Sequence, residues 1–344
     1  MRVKGAAIQG GLAAIGLLTA YATWQREPER ATGEVVVLDV NKSNLDKVRY
    51  QNDKKWIEMD LRKDADGTPV VWFKVSAVEL PKAPERELRG NEGALRLWDK
   101  FGPMRAARAL GTLDAAKLKE LGLDAPKKRI EVTAKGQQHV YLAGQPPFNV
   151  SEPYLQDDGD KRVYVLGGGI LQDLDSASVR LIDRTLHPFK TTDFDGLVVT
   201  AGGPGAKKSR ELVQEGGQLQ TSAKIASKKT PTKPDELAKN WHEKAWRLYA
   251  SDVLGKGETP ASGNPEIALR IDYTEKGKPR GFIEIGRTIG VTPPPPANAS
   301  ATPPPPAPAV NEFYARTEHT AGWVKLPQNA EDVLKEADKI AGGE

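Results

Sequence analysis

Four histidines, His139, His187, His242 and His319, are the only imidazoles in a chain of 344 residues that has no cysteine. Thiolate nucleophiles, disulfides and cysteine-ligated zinc or iron–sulfur centres are therefore excluded. His242-Glu243 opens like an HExxH zinc helix, but Trp246 stands where the second histidine belongs. The histidines are scattered, so each reads as an ordinary surface or half-buried imidazole. Gly202-Gly203-Pro204-Gly205-Ala206-Lys207-Lys208-Ser209 imitates a phosphate loop, yet Lys207 stands where that spacing requires glycine. It reads as a basic turn. Gly167-Gly168-Gly169 lacks the dinucleotide fingerprint and reads as a turn before a helix. Asp64-Ala65-Asp66-Gly67 and Asp157-Asp158-Gly159-Asp160 are incomplete calcium loops, since Arg62 precedes the first and no glutamate closes it. No serine has G-x-S-x-G context. Among 46 Asp and Glu residues nothing singles out a glycosidase pair. The residues thus nominate no catalytic, cofactor-binding or metal site, and the chain reads as non-enzymatic.

The scaffold is more informative. Hydrophobic residues make up 38% and charged residues 28%, a balance that permits a sizeable core and more than one domain. The net charge is +4, and without Arg2 and Lys4 the basic and acidic side chains nearly cancel. Such a body has no global attraction for nucleic acid, and none is expected as a partner. Gly5 to Trp24 carries no charge. About 20 helical residues span roughly 30 Å, a hydrocarbon core's thickness. With Arg2 and Lys4 before it, this segment is expected to be a retained single-pass anchor in the inner membrane. The bulk of the chain would then be periplasmic. A cleaved signal peptide ending near Ala20-Tyr21-Ala22 is the alternative. Residues 1–30 form anchor and stalk on this reading.

The remainder repeats itself. Arg129-Ile130-Glu131-Val132-Thr133-Ala134-Lys135-Gly136 is matched by Arg270-Ile271-Asp272-Tyr273-Thr274-Glu275-Lys276-Gly277. Each block leads into a second strand, ending at Gly144 and at Gly286. Tyr154 with Val163-Tyr164-Val165 resembles Tyr314 with Trp323-Val324-Lys325. Trp98 and Gly111 find partners in Trp241 and Gly255. Agreement in order, spacing and type predicts two copies of one module, over 31–189 and 190–344. Further strands are expected over Val35–Leu38, Val48–Gln51, Trp56–Leu61 and Val70–Val75, with a hairpin turn at Asp66-Gly67. A helix is expected from Glu92 to Leu110, broken or kinked at Gly102-Pro103. The predicted fold class is α+β: an N-terminal transmembrane helix, then two tandem β-rich modules with covering helices. The second module carries a proline-rich insertion, Thr292–Ala309. It reads as a solvated polyproline spacer, with a docking arm as the alternative.

The turn Leu121-Gly122-Leu123-Asp124-Ala125-Pro126, the Arg129–Gly144 and Tyr154–Leu166 hairpins, and Leu181-Ile182-Asp183-Arg184 before Phe189 resemble the domain-of-unknown-function family 4340. The resemblance is good over 34–189 and weak over 190–340, and the proline insertion departs from the usual pattern. It implies a membrane-anchored protein with tandem modules, associated with ABC transporters of the gliding-motility (Gld) type. It implies no catalytic residues. The expected function is therefore a non-enzymatic extracytoplasmic accessory subunit, contacting the transporter's permease or auxiliary subunits and binding an envelope partner or cargo. A periplasmic enzyme acting on envelope polymer or peptide, and a structural or motility scaffold, are the alternatives.

Overall fold

A computed structural model describes residues 34–64, 66–77, 85–144, 153–167, 169–202, 205, 207–218, 221–289 and 310–343. The first half supplies β1 (Val35–Leu38), β2 (Leu45–Gln51), β3 (Lys55–Lys63), β4 (Pro69–Ala77), β5 (Arg86–Arg89), α1 (Glu92–Asp99), β6 (Met104–Ala106) and β7 (Arg108–Thr112). It continues with α2 (Ala115–Glu120), β8 (Lys128–Ala134), β9 (Gln137–Ala143), β10 (Tyr154–Asp157), β11 (Arg162–Val165) and α3 (Ile170–Arg180). The second half holds β12 (Gly196–Ala201), β13 (Lys208–Gln218), β14 (Thr221–Ser227), α4 (Glu236–Trp246) and β15 (Asp252–Val253). Then come β16 (Glu266–Glu275), β17 (Lys278–Ile289), β18 (Asn311–Thr317), β19 (Val324–Leu326) and α5 (Ala330–Gly342).

Two large sheets dominate. One runs β5-β4-β3-β2-β8-β9-β10-β11-β7, the other β14-β13-β12-β16-β17-β18-β19-β15. With β5 set aside, the two orders are the same connectivity. Strands alternate buried and solvent-facing residues, as in Ile57 and Met59 between Trp56, Glu58 and Asp60. The central hairpins turn alike. Lys135 and Gly136 have φ of 50° and 76°, and Lys276 and Gly277 have φ of 50° and 77°. Two successive positive φ values make the two-residue turn whose twist matches antiparallel strands. In each turn an aspartate preorganises the backbone: Asp46 accepts from Gly136 N at 2.8 Å, and Asp195 accepts from Lys276 N at 2.9 Å. Trp98 and Trp241 are fully buried at corresponding places under the two sheets.

Three expectations require correction. The described residues are mostly β, with 46% strand and 20% helix, rather than α+β. The segment expected as one helix from Glu92 to Leu110 stops at Asp99, and its remainder forms β6 and β7. The Gly102-Pro103 step follows directly and cannot propagate a helix, because proline lacks the amide donor. Nor does the structure contain the expected transmembrane helix: no helix among the described residues is long and apolar enough to cross a membrane. The longest, α5, has 13 residues, about 20 Å of rise. The expected span Gly5–Trp24 and the proline-rich Thr292–Ala309 lie outside the described residues.

Candidate functional site

After α3 the chain crosses from the first sheet to the second, and this seam gathers a group of half-buried charged and polar side chains. Asn91 fixes the crossing. Its side chain caps α1 by accepting from Gly93 N at 2.8 Å. Its amide donates to Arg180 O at 3.0 Å and Ile182 O at 3.3 Å. Asp183 N then donates to Arg89 O at 2.8 Å. The Asp183 carboxylate is thereby placed under the bend that follows β18, where His319 Nε2 lies 2.8 Å away. An ionised carboxylate only accepts, so that bond puts the imidazole proton on Nε2. Asp183 also accepts from Thr185 N at 2.9 Å and lies 3.4 Å from Arg89 Nε. Arg89 is forked onto Asp64, with bonds of 2.9 and 2.5 Å. Burial alone would raise the Asp183 carboxyl. The hydrogen bonds from His319 and Thr185 outweigh burial and hold it below the ordinary carboxylate range. An open cavity of about 620 Å³ adjoins this group, lined in part by Asn91, Arg96, Arg180, Asp183, Thr185 and His319.

A second cluster lies deeper. His187 stacks on Trp246 with centroids 4.8 Å apart, 4.9 Å from the Phe189 ring and 3.4 Å from Glu318 Oε1. Beneath it, Ser222 Oγ lies 2.9 Å from His242 Nδ1, and His242 Nε2 lies 3.3 Å from the Tyr273 hydroxyl. Serine beside histidine imitates an activated nucleophile. All three side chains are buried, however, and His242 has no exposed surface. No substrate reaches a nucleophile sealed inside a core, so this group is a satisfied polar network. Burial, then the nearby His187, pushes His242 down to about 3, and burial pushes the Tyr273 phenol up. A neutral imidazole has one donor and one acceptor nitrogen, the complement of two hydroxyl partners.

The reading of all four histidines as surface or half-buried holds for His139, which is half-buried on β9 opposite Val132. It fails for His242. Ser222, His242 and Tyr273 come from β14, α4 and β16, and no local spacing announces them. His319 and Asp183 are likewise brought together only across the seam. Strand β13, rather than a helix that could receive a phosphate, follows the glycine-rich stretch after β12. Gly169 starts α3 with φ of 67°. Asp66 accepts from Thr68 N at 2.9 Å, and Asp160 from Arg162 N at 2.9 Å. Among the described residues no three His, Asp or Glu side chains converge as a metal site.

As an aspartate, residue 183 acts as a latch between the halves. Asp183→Asn is expected to cost about 1.5–3 kcal/mol, the worth of charge-assisted bonds. The sign with pH follows from the lowered carboxyl. This stabilisation is complete above the unfolded value of about 4 and is lost as pH falls through the lower folded value. Hydrogen exchange at the Thr185 amide, measured at pH 7 and pH 3, reads the latch. Equal protection in wild type and Asp183→Asn at pH 7 would exclude it.

No curated protein and no solved structure matches the chain. A family model does. Residues 95–262 match the family described as Domain of unknown function (DUF4340). The matched stretch begins inside α1 and ends beyond β15, so it takes in Asp183, His187, Ser222 and His242 but neither Tyr273 nor His319. Over this stretch, just under half of the 344 residues, the chain matches the DUF4340 family of domains of unknown function.

Proposed function

We propose that this protein is a non-enzymatic, extracytoplasmic accessory subunit of a gliding-motility-type ABC transporter complex, and that it works by holding an envelope partner or exported cargo. The observation that carries the holding role is the open face of each sheet. There, arginine guanidinium carbons sit over aromatic rings: Arg49 over Trp56 at 4.3 Å, Arg62 over Trp72 at 5.1 Å, Arg270 over Phe282 at 4.4 Å and Arg316 over Trp323 at 4.9 Å. Such pairs stabilise a sheet face. Arginine and tryptophan are also the side chains that dominate binding energy at protein interfaces. Glu284 pins two of these arginines, accepting from Arg270 at 2.6 Å and from Arg316 at 2.5 Å. A side chain already held in place loses little entropy on binding. The transporter association and the extracytoplasmic location rest on the family resemblance.

Co-purification with an ABC permease or auxiliary subunit in mild detergent is the expected result. The double variant Arg270→Ala and Arg316→Ala should weaken that association at least tenfold, and His319→Gln should leave it intact. A second reading, a hydrolase acting on envelope polymer or peptide, is favoured by the Asp183–His319 pair beside an open cavity. A carboxylate that orients histidine is how general bases are built. A hydrolytic activity that vanishes in His319→Gln while the fold persists would establish that reading instead.

A further inference from the structure

The two sheets meet through an edge, and the meeting is not symmetric. The outer strand β5 of the first sheet faces β15, the outer strand of the second. Lys256 N donates to Glu87 O at 2.8 Å. Arg86 donates to the Val253 carbonyl at 2.7 Å and to the Glu258 carboxylate at 2.9 Å. Glu258 is set for this by accepting from Gly255 N at 2.5 Å. The β5 edge thus meets the segment at and after β15 through one backbone bond, and one arginine reads a carbonyl and a carboxylate together.

In the first sheet, the strand that corresponds to β15 is β7. The correspondence is fixed by register. Val253 pairs with Val324 on β19, and Ala109 pairs with Tyr164 on β11. Ser251 N donates to Lys325 O at 2.8 Å, and Ala107 N donates to Val165 O at 2.9 Å. The Ala109 carbonyl therefore holds the place of the Val253 carbonyl. Gly111 holds that of Gly255: Gly111 has φ of 77°, and a Cβ on Gly255 would crowd Glu258 Oε2 and Glu87 N. Asp114, three positions beyond Gly111 as Glu258 is beyond Gly255, supplies the carboxylate and is exposed.

We infer that the β7 edge with Asp114 is a docking site for an extended strand of another protein, one carrying an arginine. The arginine would meet the Ala109 carbonyl and the Asp114 carboxylate. The main chain would lie along the outer edge of β7, which ends its sheet. A second copy of this chain is the wrong occupant. Its β5 is engaged with its own β15. In its second sheet the stretch after β14 does not form an outer strand: Lys228 to Lys233 turns back on itself, and Pro234, with no amide hydrogen, bridges Ala226. The inference deepens the partner-holding role and rests on that reading, but not on the transporter association.

The test uses the full chain and a peptide of residues 85–91, Glu-Arg-Glu-Leu-Arg-Gly-Asn, as probe. Backbone amide shifts are expected to concentrate at residues 108–114 and to saturate. Binding should fall at least threefold for Asp114→Asn, which keeps the cap of α2 because asparagine caps as well as aspartate. It should fall equally when the peptide's first arginine is replaced by alanine. Shifts confined to residues 251–258, absence of saturable shifts, or an affinity unchanged in Asp114→Asn would overturn the proposal. So would concentration-dependent self-association of the free chain that protects residues 108–114. If the peptide fails here while the permease still co-purifies, the edge site alone is wrong. If the peptide binds and the permease does not co-purify, the transporter association alone is wrong.

Discussion

Lowering the pH from 6.5 towards 3 is expected to remove about 1.4 kcal/mol of unfolding free energy per pH unit through His242 alone. The imidazole is fully buried, and its folded value is pushed from 6.5 down to about 3. Below 6.5 the unfolded chain takes up a proton that the folded chain refuses. The stability is therefore complete above 6.5, is lost as pH falls, and levels off below about 3. The surroundings give the proton no counter-charge: Ser222 and Tyr273 are hydroxyl partners, Phe194 and Trp246 are apolar, and His187 is a second imidazole. Urea unfolding at half-unit pH steps measures the slope. The window from 6.5 to 4.5 isolates the histidine, because lowered carboxyls such as Asp183 come into play only below about 4. His242→Gln should lower stability at pH 7 yet flatten the profile in that window. Parallel profiles for variant and wild type would show that His242 is not the group responsible.

The corresponding tryptophans should respond unequally to the same substitution. Trp241 Nε1 donates to Val333 O at 2.9 Å and so ties α4 to α5. Trp98 is equally buried, but its Nε1 has no hydrogen-bond partner among the described residues. Replacing either by alanine empties a large core site and should cost about 3–5 kcal/mol. Replacement by phenylalanine separates them. Trp241→Phe loses a bond to a carbonyl that the α5 ladder also engages, whereas Trp98→Phe removes an orphaned donor. Since an unsatisfied buried group costs about 1–3 kcal/mol, Trp241→Phe should be the more damaging by about that amount. Denaturant midpoints at constant m-value provide the measurement. An equal loss in both variants would mean that the Trp241 bond adds nothing to packing.

These two groups also mark where reading the chain in order succeeds and where it stops. The apolar alternation of Trp56 to Leu61 and the turns at Asp66-Gly67, Lys135-Gly136 and Lys276-Gly277 are written locally. Strand periodicity and positive φ depend on a few adjacent residues. The strands found there are β3, β4, β8, β9, β16 and β17. The likeness of the Arg129 and Arg270 blocks was legible for the same reason. Helix length was not. Glu92 to Leu110 has helical spacing, but propensity is weak beside the pairing of Met104–Ala106 with β1 and of Arg108–Thr112 with β11. The balance between helix and strand was decided by those distant partners. So were the charge state of His242 and the latch between Asp183 and His319. Burial and hydrogen bonding shift an ionisable group only once residues far apart in the chain have been packed around it. Types and spacing could name these histidines, but the fold alone sealed one in the core and set another against a carboxylate.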